Sequence, residues 1–232
     1  MALSRLFLRD IIALKRRGFL EDCRRVVEIG AQQIADRLIL SPELDEAARL
    51  FGVPKPELTP VGSVLITSDS PPGKLLWQSL GLESRSVDIE GGDICIDLNE
   101  GRVPADCCGA FDLVINAGTT EHIANQGNAF SAIHDLVRVG GLMYHQLPAF
   151  GDFNHGFFGY QPKFFHRMSE QNDYEDVYFV LRPGANFEFN DDQWGMVDQS
   201  QLFALPRSIP RAALTAVLRR KHDRKFSMPT DK

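Results

Sequence analysis

The stretch from Phe111 to Pro148, FDLVINAGTTEHIANQGNAFSAIHDLVRVGGLMYHQLP, constrains this chain more than any other part of it. It opens on an apolar run, Phe111 to Asn116, that reads as a buried strand. Ala124 to Val137 then carries Ala129, Ile133, Leu136 and Val137 at helical spacing, and Gly140-Gly141 reads as the stop before a second strand, Leu142 to Leu147. Strand, helix and strand in that order make a crossover unit, and its parallel strands need cover on both faces.

The same alternation runs through most of the chain. RVVEIG, Arg25 to Gly30, is the first core strand, and Ser84 to Ile89 and Asp93 to Leu98 are the second and third. The unit above supplies the fourth and fifth, and Asp176 to Leu181, DVYFVL, reads as a further strand. Ala212 to Leu218 is either a final strand or a short helix, since periodicity alone does not separate the two. The expected fold is therefore α/β: one doubly wound domain over residues 1–232, with a mostly parallel sheet, helices on both faces and an antiparallel last strand.

Three segments stand outside the alternation. Residues 1–20 read as an amphipathic helix, because Arg5, Arg9 and Asp10 break the apolar run that a secretory signal needs. Residues 34–82 are too long for one crossover and read as an insertion, with a helix around Pro42 to Phe51, prolines at 54, 56 and 60, the run SVLIT and a helix-like GKLLWQSLGL. Residues 149–168 form a lid-like segment rich in aromatics: Phe150, Phe153, Phe157, Phe158, Tyr160, Phe164 and Phe165. Packing on the core is their expected role, with an apolar pocket cap as the alternative and Asp152 and Asn154 as polar contacts. The tail after Lys221 reads as mobile.

Charge and cysteine usage narrow the function classes. With 25 basic and 31 acidic residues the net charge is -6, which gives no overall attraction to nucleic acid or anionic lipid. The basic clusters at Arg16, Arg17, Arg24 and Arg25 and at Arg219, Arg220, Lys221, Arg224 and Lys225 read as solvated helix ends. Cys23, Cys95, Cys107 and Cys108 lack metal-site spacing, so no metal is expected, and reduced thiols suit a cytoplasmic protein. No run approaches the roughly 20 apolar residues of a membrane span.

In an open parallel sheet the ligand lies beyond the carboxyl ends of the strands. Those ends carry Glu28-Ile29-Gly30, Asp88, Asp97, Asn116-Ala117-Gly118 and Gln146-Leu147-Pro148. A carboxylate at Asp88 suits the two hydroxyls of a ribose and would repel a 2′-phosphate. Asp97 with the Leu98 backbone is placed for an adenine amino group, and Gly30 lets the backbone approach a ligand closely.

This layout resembles the class I S-adenosylmethionine-dependent methyltransferases through VVEIG, SVDI, FDLVINAGTTEH and LVRVGGLMYHQLP, which together cover Arg25 to Pro148. HGFFGYQPKFFH and the tail RAALTAVLRRKHDRKF are similar to segments of a bacterial subgroup of methyltransferase-like proteins. The resemblance implies S-adenosyl-L-methionine as cofactor and a small-molecule methyl acceptor as partner, with a homodimer allowed and neither nucleic acid nor membrane expected. It implies cofactor contacts from Glu28, Gly30, Ala31 and Gln32, from Asp88, Asp97 and Leu98, and from Asn116, Ala117, Gly118 and Glu121. The family pattern has several glycines after the first-strand acid, whereas this chain continues EIGAQQIAD, where the Gln32 amide stands in for a backbone contact.

Methyl transfer needs an aligned acceptor and a dry site more than a fixed triad. His122, His155 and Tyr160 are the candidates for proton handling, while His145, inside the fifth strand, reads as a hydrogen-bonded core residue. Two rivals remain at this stage. One is a protein of the same fold that binds a partner without catalysis. The other is an NAD-dependent oxidoreductase, disfavoured because EIGAQQ lacks the glycine-rich turn a pyrophosphate needs.

Overall fold

The computed structural model describes residues 2–63, 66–151, 155–183 and 212–231. Asp152, Phe153 and Asn154, and Val64 and Leu65 of SVLIT, lie outside the described residues. Among the described residues the strands are β1 (Ala2–Leu3), β2 (Arg25–Ile29), β3 (Gln33–Ile34), β4 (Glu83–Asp88), β5 (Ile94–Cys95), β6 (Phe111–Ala117), β7 (Val137–Phe150), β8 (Glu175–Pro183) and β9 (Ala212–Arg219). The helices are α1 (Arg5–Arg16), α2 (Asp36–Ile39), α3 (Pro42–Phe51), α4 (Lys74–Ser79), α5 (Gln126–Leu136) and α6 (Pro162–Asn172).

Seven strands form one sheet in the order β5-β4-β2-β6-β7-β9-β8. The pairs from β5 across to β7 are parallel, and β9 runs antiparallel to both of its neighbours. The chain fills one side of β2 first, then crosses to the other, so the strand order reverses between β2 and β6. That reversal is where a doubly wound sheet opens a crevice at its carboxyl edge.

Alternate side chains of each strand enter different cores, the pleat rule for a sheet covered on both faces. Val114 and Met143 join α5 and α6 through Ala129, Phe130, Ile133, Phe165 and Met168. Leu113, Ile115, Leu142 and Tyr144 join the other helix layer through Phe7, Ile11, Leu38, Leu44 and Trp77. Helix α3 is bounded by local signals: Pro42 starts it and left-handed Gly52, φ 71°, ends it. Ser4 caps α1 by accepting from the Phe7 amide at 3.2 Å.

Asp10, read from the sequence as a break in an apolar run, is wholly buried on the sheet side of α1. Its carboxylate takes the Tyr144 hydroxyl at 2.9 Å, the Tyr178 hydroxyl at 3.0 Å and the Arg182 guanidinium, and the Thr215 hydroxyl lies 3.3 Å away. One acid thus ties α1 to β7, β8 and β9. Burial raises its pKa from the ordinary carboxylate value, against the pull of Arg182 and the two phenols.

Two local expectations change, at the glycine pair and in the tail. Gly140 and Gly141 lie inside β7 rather than ending α5, which stops at Leu136 and passes straight into the strand. Gly140 has φ 82°, and a Cβ on Gly141 would meet Val137 Cγ2 at 2.7 Å, so the pair forms an irregularity opposite Asp112. Within the aromatic segment, α6 packs Phe165 and Met168 into the core. The tail has no regular structure but is docked: the Arg224 carbonyl lies 2.7 Å from His134 Nε2, and Ser227 N–H donates to Asn172 at 2.8 Å. Ala212–Arg219 is a strand.

The insertion also resolves. The chain leaves the sheet at Gln33 and returns at Pro72, and these two residues form an antiparallel bridge. Gly73 N–H donates to Gln32 O and Ile34 N–H to Pro71 O, both at 2.7 Å. The inserted part is therefore 34–71, which includes α2 and α3, while α4 belongs to the crossover between β2 and β4.

Candidate functional site

The site is built on the carboxyl edge of the sheet, around the order reversal between β2 and β6. Gly30 adopts φ 79°, a conformation costly for other residues, and its N–H donates to Val87 O at 2.7 Å. The turn carries Ala31, whose N–H donates to Asp88 Oδ2 at 2.8 Å, while Asp88 Oδ1 accepts from the Ile89 N–H, also at 2.8 Å. The structure thus brings Gly30, Ala31 and Asp88 together at the ends of adjacent strands.

Gln32 is buried and points into the sheet reversal. Its amide donates to Ile29 O at 3.0 Å and to Thr119 Oγ1 at 3.2 Å, and the Thr119 hydroxyl also donates to Ile29 O. The side chain therefore laces the end of β2 to the turn after β6. Thr119 carries no sequence signal of its own beyond following the strand.

Glu28 lies on the α4 side of β2. Its carboxylate is buried beneath α4, where Oε1 accepts from Trp77 Nε1 at 2.8 Å. Burial pushes its pKa up to about 8 against the pull of the Trp77 hydrogen bond. A Cβ on Gly73 would meet this carboxylate, with Oε2 only 2.8 Å away, so a glycine is what lets α4 approach the strand. That is the packing role of the last glycine in a contiguous glycine-rich turn. Here it arrives from the far side of the insertion, marked in sequence only by its place before GKLLWQSL.

The outer strand β5 is shorter than the expected Asp93 to Leu98, so Asp97 lies just past it, where Oδ1 accepts from the Asn99 N–H at 2.8 Å and Asp97 O from the Gly101 N–H at 2.6 Å, forming a tight turn. Leu98 is buried, and its carbonyl accepts from Asn128 Nδ2 at 3.0 Å. On β6, Asn116 is buried between Thr120 Oγ1 at 2.9 Å and His145 Nδ1 at 3.2 Å. Ala117 packs into the core, and left-handed Gly118, φ 79°, donates to Gln146 O at 3.0 Å.

The proton-handling candidates divide. Tyr160 is buried among Phe130, Phe164 and Phe165, its hydroxyl donates to Gln126 Oε1 at 2.6 Å, and burial raises the phenol above its ordinary range. It acts as a core tyrosine. His145 is likewise buried, beside Phe130 and Phe165, and burial drives it down to about 3, so it is neutral.

His122 and His155 differ, standing partly exposed with ring centroids 5.1 Å apart. Glu121 lies beneath them, its side chain about 1% exposed, with Oε1 3.5 Å from His155 Nε2 and 4.0 Å from His122 Nε2. Burial lifts the Glu121 carboxyl to about 7 and pulls His122 below its usual value. Sequence spacing paired Glu121 with His122 but gave no sign that His155, on a distant loop, joins them.

A cavity of about 300 Å³ lies elsewhere, between α1 and α3, lined by charged side chains including Arg9, Arg16, Glu43 and Glu46 and by none of the strand-end residues.

No protein-family model matches the sequence, and no curated protein matches it. Solved structures with a similar course of chain include a SAM-dependent methyltransferase from Archaeoglobus fulgidus, at 13% identity over 92% of this chain and 94% of that one, TM-score 0.44. Another is the Burkholderia thailandensis 1,6-didemethyltoxoflavin-N1-methyltransferase with S-adenosylhomocysteine bound, at 11% identity over 93% of this chain and 78% of that one, TM-score 0.48. A third is the Haemonchus contortus phosphoethanolamine N-methyltransferase 2, 12% identical, of which this chain spans 52%, with 92% of its own length covered and TM-score 0.47. The fold assignment rests on the strand order. Among the described residues no helix is long and apolar enough to cross a membrane.

Proposed function

We propose that this chain transfers a methyl group from S-adenosylmethionine to a small-molecule acceptor. The observation that carries the reading is the Asp88 carboxylate, set against the left-handed Gly30 turn where the strand order reverses. A carboxylate there suits a ribose with both hydroxyls free. The turn after Gly30 leads into β3 rather than directly into a helix, unlike the contiguous glycine-rich turn that carries a pyrophosphate. A nucleoside without phosphates fits these features better than a dinucleotide.

S-adenosylmethionine, when bound, supplies an already activated methyl group. The chain's own work is then to hold, align and exclude water. Asp88 accepts the ribose hydroxyls and the Asp97 turn with the Leu98 backbone borders the adenine, while the Gln32 amide is engaged by Ile29 O and Thr119 Oγ1 and braces the turn instead. Glu121, His122 and His155 line the neighbouring edge after β6, where an acceptor would approach. Of the proton-handling candidates His122 and His155 stand on this edge, while the Tyr160 hydroxyl is engaged by Gln126.

One feature favours a binding protein without catalysis: Gln32 already fills the reversal by bonding Ile29 and Thr119. Calorimetry with S-adenosylmethionine and S-adenosylhomocysteine separates the two readings. The expected result is saturable binding that Asp88→Ala weakens at least about tenfold, the loss of more than one hydrogen bond to a charged group. A folded protein that binds neither ligand at about millimolar concentration, an affinity of roughly 4 kcal/mol, overturns the proposal.

A further inference from the structure

We infer that Glu121, His122 and His155 form a binding site for a divalent transition-metal ion, of which zinc is the type. The three ligand atoms, one carboxylate oxygen and two ring nitrogens, lie within 4.8 Å of one another. Tetrahedral ligands at about 2.1 Å from zinc sit roughly 3.4 Å apart, so the Glu121–His155 separation of 3.5 Å already fits. The Glu121–His122 separation of 4.0 Å closes with a small side-chain rotation.

A second observation points to a cation. Both Glu121 oxygens are buried, and neither receives a hydrogen bond among the described residues. A carboxylate in that state lacks the hydrogen bonds that buried polar groups ordinarily receive. A cation held between the carboxylate and the two imidazoles supplies it.

The cluster is also built rather than accidental. Thr120–His122 form a single tight turn directly after β6, which fixes Glu121 and His122 together. The loop bearing His155 is bolted to the same residue, since the Phe157 and Phe158 N–H groups donate to Glu121 O at 2.7 and 3.2 Å. Gly156 lies so close that a Cβ there would stand 2.9 Å from Glu121 O and from Glu121 Cγ. Backbone contacts thus hold the third ligand in place, the support a metal site needs.

The donor set selects the ion. Two imidazoles and one carboxylate suit zinc, and other first-row metals, better than magnesium or calcium, which prefer all-oxygen surroundings. The two histidines are 40% and 41% exposed, so a fourth position faces solvent. Three protein ligands with one open position are the arrangement of a reactive zinc rather than a structural one. Exposed Phe157 and Phe158 border it, which suits a ligand that joins a metal-binding oxygen or nitrogen to an apolar body. The site stands whether or not the chain transfers methyl groups.

The test is titration of the metal-stripped full chain with Co(II), followed by visible ligand-field absorption, and with Zn(II) by calorimetry. One equivalent is expected to bind, with the intense visible bands of a low-coordinate Co(II) site. His155→Ala, on a partly exposed loop and therefore tolerant of change, and Glu121→Gln should each weaken binding at least tenfold and bleach the spectrum. Absence of binding by the folded chain, or binding that His155→Ala leaves unaltered, overturns the inference. Because no S-adenosylmethionine is present, failure here is distinct from failure of the methyl-transfer reading.

Discussion

Replacing Glu28 with glutamine is expected to make the protein more stable in alkaline solution while leaving it unchanged in acid. Glu28 is buried beneath α4 with the Trp77 indole on Oε1, and burial lifts its carboxyl from an ordinary 4.5 to about 8. Between those values the unfolded chain has released this proton while the folded chain keeps it. Stability therefore falls as pH rises through that window and levels off above it. Each pH unit is worth about 1.36 kcal/mol, so a displacement of roughly 3.5 units sets a ceiling of roughly 5 kcal/mol. Glutamine mimics the protonated acid in shape and hydrogen bonding, and it does not titrate. Chemical unfolding at about pH 5 and about pH 8.5 measures the comparison, because every other titrating group cancels between the two proteins. The variant should match the parent at the lower pH and gain several kcal/mol at the higher one. A difference between variant and parent that stays flat with pH, or a variant less stable at the higher pH, refutes the reasoning.

Further expectations follow from the same packing. Asp10→Ala leaves the Arg182 guanidinium buried without its carboxylate, a change worth about 3–5 kcal/mol, so the denaturation midpoint should fall steeply. Replacing Arg182 with methionine alongside Asp10→Ala should recover part of that loss, and no recovery would mean that Arg182 is not the main cause. Gly73→Ala puts a methyl group against the Glu28 carboxylate and should cost about 1–3 kcal/mol in thermal or chemical unfolding. If Gly73→Ala is neutral, α4 is free to shift away from β2.

The sheet was legible because buried parallel strands are continuous apolar runs, and RVVEI, FDLVINA and the strand through LMYHQL need little context. Helix α3 was legible from Pro42 and Gly52. What hid had a physical reason in each case. Gly140-Gly141 looks like a helix stop, yet the glycines serve an irregularity within β7 that only the partner strands define. Helix α6 was masked because Phe164 and Phe165 are as natural in a lid as in a core helix. Asp10 read only as a break in an apolar run because its four partners come from three distant strands. At the site, Asp88 beside the Gly30 turn was readable from strand ends. The inward turn of Glu28 and the joining of His155 to Glu121 depend on long-range placement, to which periodicity is blind.

The bridge between Gln33 and Pro72 bears on the order of assembly. The turn after β2 takes its final shape only when residues 71 to 73 arrive to bond Gln32 and Ile34, and those residues reach it only after an intervening stretch with two helices has doubled back. Closing a long segment before its contacts form slows folding. The pairing of β2 with β4 closes a still longer segment across the same excursion, so the turn and that strand pair are expected to gain protection from hydrogen exchange together.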